Sequence, residues 1–108
     1  MNNDILGTWQ IVEMDLWDKD YIDAEVEGFI SFFENNTGEF QFGYVQGYMN
    51  LYNSKFKNSS LSFTWEGCDE MDEAHGCGDA AIVGEQLHGE INFHNGELSG
   101  FKAIRRRN

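Results

Sequence analysis

The sequence predicts an all-β fold: a single small antiparallel up-and-down β-barrel of about eight strands, with one short helical or irregular segment after the first strand. Three observations predict it. Apolar residues recur with a period of two in short runs; clusters of Asn, Gly, Ser and Asp separate the runs; and most connections are short enough to force antiparallel neighbours. Eight such strands with one apolar face close most economically into a barrel, with a two-sheet sandwich as the competing arrangement.

Each element follows from its residues. Gly7 to Met14 reads as the first strand. In Asp15 to Glu27, Leu16, Trp17, Tyr21, Ile22 and Val26 fall at irregular, partly helical spacing among six acids, which predicts a loop with a turn or two of helix. Gly28 to Glu34 is a strand closed by Asn35-Asn36-Thr37-Gly38, a hairpin signature. Glu39 to Val45 follows, with Phe40, Phe42 and Tyr44 on one face. Gln46-Gly47 turns the chain into Tyr48 to Asn53, and Asn58-Ser59 turns it into Ser60 to Glu66. Gly67 to Gly78 reads as a long acidic loop. Asp79 to Val83, Gln86 to His94 and Glu97 to Arg105 complete the count, with turns at Gly84-Glu85 and Asn95-Gly96.

The chain has 108 residues, which is the size of one domain spanning 1–108. It contains no proline, and 41% of it is hydrophobic, enough to build a core despite a net charge of −12. The 19 acids against 7 basic residues repel phosphate backbones and anionic lipid surfaces, so neither nucleic acid nor membrane is expected as a partner. The start, Met1-Asn2-Asn3-Asp4-Ile5-Leu6, has no basic segment followed by an apolar run, so a cytoplasmic location is expected. Cys68 and Cys77 are then expected as free thiols, although a disulfide across the acidic loop is conceivable in an oxidising compartment.

Gly7-Thr8-Trp9 on the first strand, the eight-strand meander and an arginine closing the last strand resemble the calycin group: lipocalins, fatty-acid-binding proteins and avidin-like barrels. The resemblance implies that Trp9 plugs one barrel end, that Arg105 packs over it, and that a small apolar ligand occupies the lumen. The chain is shorter than is usual for lipocalins and fatty-acid-binding proteins, and it carries no pattern of biotin-contacting residues like that of avidins. Trp17-Asp18-Lys19-Asp20, Phe63-Thr64-Trp65-Glu66-Gly67, Asp69-Glu70-Met71-Asp72, Gly76-Cys77-Gly78, Phe93-His94 and Ser99-Gly100-Phe101 together resemble a family of small bacterial proteins without an assigned activity.

Alternation sends Trp9, Ile11, Phe40, Phe42, Tyr44, Leu61, Phe63, Trp65, Leu87, Ile91, Phe93, Phe101 and Ala103 inward, together with Phe29 and Phe33 or with Ile30 and Phe32. Side chains of this bulk fill an eight-stranded barrel and confine any binding to one mouth. Glu13 shares a face with Trp9 and Ile11. It either twists out to solvent or serves as a polar anchor for a ligand or for Arg105.

Residues 68–79 combine carboxylates, two thiols and an imidazole. Zinc would want Cys68, His75, Cys77 and a fourth ligand such as Asp72, and calcium would want Asp69, Asp72 and Glu66 or Asp79. The spacings match neither a paired C-x-x-C site nor an EF-hand, so no metal and no cofactor is expected. No nucleophile elbow, phosphate loop or helix-borne His pair is present, and His88 and His94 lie opposite the apolar face, so no catalytic residues are expected. The function expected is a non-enzymatic binding domain that recognises a small molecule or a protein at one mouth, through Glu13, Trp17, Tyr21, Glu66, Asp69 and Asp72. The alternative is an acidic inhibitor or immunity-type protein that fills a basic groove on a protein partner. Oligomeric state is left open.

Overall fold

A computed structural model describes residues 5–53 and 60–106. Eight strands and one helical turn follow in order: β1 (Gly7–Met14), α1 (Lys19–Ile22), β2 (Phe29–Phe32), β3 (Thr37–Phe42), β4 (Val45–Asn53), β5 (Ser60–Asp69), β6 (Asp72–Val83), β7 (Gln86–Phe93) and β8 (Leu98–Arg105). Each strand pairs antiparallel with the next, and β8 closes onto β1, so the sheet is a closed up-and-down barrel. No helix among the described residues is long and apolar enough to cross a membrane.

Alternation decides which side chains fill the lumen. Trp9, Ile11, Ile30, Phe32, Phe40, Phe42, Leu61, Phe63, Trp65, Leu87, Ile91, Phe93, Phe101 and Ala103 are all buried. Ile30 and Phe32 face inward, while Phe33 stays exposed. So many large rings fit because small residues stand opposite them in the register. Phe40 pairs with Gly47, Phe63 with Gly78, Trp65 with Gly76 and Phe101 with Gly89. A Cβ placed on Gly47 would sit 2.4 Å from the Phe40 ring, and one on Gly78 would sit 2.5 Å from the Phe63 ring. Each ring thus lies over the bare backbone of its cross-strand glycine.

Strand ends shift by a residue or two in several places, and three larger differences from the sequence expectation move side chains. The turn between β3 and β4 falls at Gly43 and Tyr44 rather than at Gln46-Gly47, because Gly43 takes the left-handed conformation (φ 58°) that a tight turn needs. Gly47 instead belongs to β4 as the partner of Phe40, and Tyr44 is exposed on the turn rather than inside the barrel.

The expected acidic loop at 67–78 is a hairpin. β5 runs on to Asp69, Glu70 and Met71 form the turn, and β6 begins at Asp72. Glu70 adopts a positive φ of 59°, so a non-glycine residue makes a turn that the sequence did not mark.

The third change concerns β1. Ile11 pairs with Ala103 and Glu13 with Lys102, so two steps on β1 oppose one on β8, a bulge at Val12. The bulge reverses the alternation, turning Glu13 outward and Met14 into the core. The turn expected at Asn58-Ser59 lies outside the described residues.

Candidate functional site: an acidic barrel mouth

Up-and-down topology places the β1–β2 segment and the β3–β4, β5–β6 and β7–β8 turns at one end of the barrel. The other end holds Ile5, Leu6 and Arg105. There the Arg105 guanidinium lies 4.0 Å from the centroid of the Trp9 ring and donates to the Leu6 carbonyl at 2.5 Å. Trp9 Nε1 donates to the Ile5 carbonyl at 2.9 Å, so a cation and an indole seal this end together.

The opposite mouth is stoppered by the chain itself. After β1, the Asp15 and Leu16 amides donate to Ser99 Oγ, and the Asp15 carboxylate accepts from the Gly100 amide, anchoring the chain to β8 before it crosses the opening. Asp18 caps α1 by accepting from the Tyr21 amide at 3.0 Å. Asp23, at the helix end, accepts from the Gly28 amide at 2.9 Å and forms an ion pair with Lys19. Partial desolvation opposes ionisation of Asp23, but these two bonds outweigh it and hold the carboxyl below its ordinary value.

This crossing drops Trp17 onto the lumen. Its ring centroid is 4.9 Å from Phe42 and 5.9 Å from Phe93. Phe42 stacks on Phe40 at 5.9 Å, Phe40 meets Trp65 at 5.1 Å, and Trp65 meets Phe93 at 5.2 Å. Five rings therefore touch in a closed circuit, all within the 4.5–7 Å range of favourable aromatic pairs. Tyr21 stacks beside Trp17 at 6.0 Å and covers Gly43, where a Cβ would meet its ring at 2.2 Å. Its hydroxyl accepts from the Tyr44 amide at 3.3 Å.

Carboxylates ring this stopper. Desolvation, then the nearby charges of Glu97 and Asp72, raise the Asp69 carboxyl above its ordinary value. Burial also raises the Tyr21 phenol, partly offset by the bond from Tyr44, and the charges of Asp69 and Glu70 raise it further. The two acidic segments of the sequence thus meet at one end of the barrel, joined by Glu97 from the β7–β8 turn. Against these acids, residues 15–28, 66–79 and 94–97 contain a single Lys or Arg, Lys19, which is already paired with Asp23.

Of the expected site residues, Trp17, Tyr21, Asp69 and Asp72 come together at the mouth. Trp17 and Tyr21 are half-buried and packed on the core, not free contact residues as expected from the sequence. Glu13 and Glu66 do not join them. Glu13 is exposed on the barrel side, 3.9 Å from Lys102, and does not reach Arg105. Glu66 points outward between its cross-strand neighbours Tyr48 and His75. Phe42 and Phe93, expected only as barrel filling, and Glu70 and Glu97 complete the mouth; assigning them to it requires knowing which turns share an end.

The register also separates the residues of the conceivable disulfide and zinc site. Cys68 pairs with Glu73 and Cys77 with Thr64, so the thiols sit four steps apart along the hairpin. That is roughly 13 Å at about 3.3 Å per residue, well beyond disulfide reach. His75 instead stacks its ring on His94 at 4.3 Å. Among the described residues no group of three or more His, Cys, Asp or Glu is arranged to hold a metal ion. Comparison with family models, with curated proteins and with solved structures found no match to the chain.

Proposed function

We propose that this protein is a non-enzymatic binding domain of lipocalin-like architecture that presents its acidic mouth to a basic surface of a protein partner. The observation that carries this reading is the convergence of Asp69, Asp72 and Glu97 at the β5–β6 and β7–β8 turns of one barrel end, where desolvation first and then the charges of Glu97 and Asp72 raise the Asp69 carboxyl. Like charges gathered at one end of a barrel gain from an incoming cation. Trp17 favours a protein over a small apolar ligand, since its ring occupies the position through which such a ligand would enter. The pairing of Trp9 with Arg105 supports the lipocalin-like part of the reading.

The test must separate the mouth from the overall charge. Octa-lysine is titrated calorimetrically against two variants of equal net charge. One carries Asp20→Asn, Asp69→Asn, Asp72→Asn and Glu97→Gln. The other carries Glu34→Gln, Asp79→Asn, Glu85→Gln and Glu90→Gln, all exposed positions away from the mouth. The reading expects affinity to fall at least tenfold more in the first, with a steep decline as salt is added. Equal losses in the two variants would refute it.

A further inference from the structure

The outer face of β4 holds an exposed aromatic that the mouth does not use. Tyr48 is 58% exposed and lies in one cross-strand row, Glu39–Tyr48–Glu66–His75, continuous over four strands. Residues directly opposite each other in such a row have Cβ atoms about 4.5–5.5 Å apart, so a glutamate flanks Tyr48 on either side.

Grooves open to both sides of the ring. One, of about 250 Å³, is lined by Glu39, Gln41, Gln46 and Tyr48 with Gly47 as its floor. The other, of about 350 Å³, is lined by Tyr48, Glu66, Glu73 and His75 over Gly67 and Ala74. The floors are inward-facing strand positions, which show only their backbone on the outer face; the inner side of Gly47 is covered by the Phe40 ring. Among the described residues, no Lys or Arg lines either groove.

We propose that this saddle takes the guanidinium of an arginine side chain on the basic partner. The inference rests on the reading of the mouth for the partner's basic character, but not for its own geometry. A guanidinium is flat and weakly hydrated; it stacks on an aromatic face and donates in a fork to carboxylates. Tyr48 supplies the face, and Glu39 and Glu66 supply acceptors at its two edges. β4 starts at the mouth, at Val45, so Tyr48 lies three residues, or roughly 10 Å, down the wall from the rim. A partner seated on the rim reaches it along the same strand.

The experiment follows the Tyr48 ring and the backbone amides by NMR while N-acetyl-arginine amide is added. N-acetyl-citrulline amide, of nearly the same shape but uncharged, is the control. Tyr48 and the amides of Glu39 and Glu66 are expected to move with the arginine compound and stay still with the citrulline compound. Tyr48→Leu and Glu66→Gln are each expected to weaken the response about threefold or more. Both sites are exposed, and the remaining amide spectrum reports that the barrel is intact. Equal shifts with citrulline, or a silent Tyr48, would overturn the saddle. A parallel titration with octa-lysine keeps the two readings apart: rim shifts with octa-lysine and a Tyr48 silent to the arginine compound remove only the saddle, and Tyr48 shifts with a rim silent to octa-lysine remove only the mouth.

Discussion

Trp17 rests on Phe42 with ring centroids 4.9 Å apart, and through that contact a connecting segment becomes part of the barrel core. The indole closes a circuit of five rings drawn from β3, β5, β7 and the β1–β2 segment. The acidic rim is consequently mounted on a packed floor rather than on a free loop, which would limit the conformational entropy lost in the proposed binding.

Trp17→Ala should therefore loosen the mouth as well as remove a side chain. A fully buried Trp→Ala change costs about 3–5 kcal/mol, and a half-buried Trp17 should cost about 2 kcal/mol. Urea unfolding measures the loss, and the opened lumen should bind an apolar dye that the parent protein excludes. An unchanged urea midpoint would show that Trp17 only lies against the opening.

At the far end, Arg105→Ala should destabilise by about 1–2 kcal/mol, through loss of the cation over Trp9 and of the donor to the Leu6 carbonyl. Arg105→Lys should restore less than half of this, because an ammonium cannot both stack flat and donate sideways. Thermal unfolding of the three proteins, side by side, gives the comparison.

The raised Asp69 carboxyl makes a statement about pH. Its folded value lies above the unfolded one, so the native state holds the proton more tightly, and ionised Asp69 is a burden at neutral pH. That burden is fully present above the folded value and is relieved as pH falls toward the ordinary carboxylate range near 4. Asp69→Asn should stabilise the protein at pH 7, by less than about 1 kcal/mol given its partial exposure. The advantage should shrink as the medium is acidified. Denaturant unfolding at pH 7, 5 and 4 tests the trend, and an advantage that grows toward low pH would contradict it.

Packing over glycine predicts a sharp contrast between two positions. A Cβ on Gly67 would come 1.9 Å from the Gln46 carbonyl oxygen, so Gly67→Ala should cost about 2–3 kcal/mol. At Gly84 nothing lies within 4 Å, and Asn tolerates its φ of 65°, so Gly84→Asn should cost only a few tenths. Melting temperatures of the two variants check this directly.

Much of the barrel was legible because Trp9, Phe63, Trp65, Leu87 and Phe93 sit in uninterrupted two-residue alternation that only an inward face explains. Two features broke that logic. Val12 is inserted as a bulge, which no local residue announces; plain alternation groups Glu13 with Trp9 and Ile11, whereas the bulge takes it out to solvent, one of the two outcomes expected for it. Glu70 turns a hairpin without Gly or Asn, so residues 67–78, the end of β5 and the start of β6, read as a loop, whereas Gly76 and Gly78 within it are places where Trp65 and Phe63 need room. Trp17, Tyr21, Asp69 and Asp72 were identified individually, but their meeting at one end depends on strand direction. Glu97 carried no signal at all, since a lone acid in a turn looks like any other solvated acid.

Mapping amide chemical shifts while octa-lysine is added tests the central claim most directly, because it reports where a polycation settles on a chain of net charge −12. The acidic-mouth account predicts the largest shifts within residues 15–23, 43–44, 69–72 and 94–97, fading together as salt is raised. Shifts spread evenly over the outer faces of all eight strands, or centred on the Trp9 and Arg105 end, would contradict it.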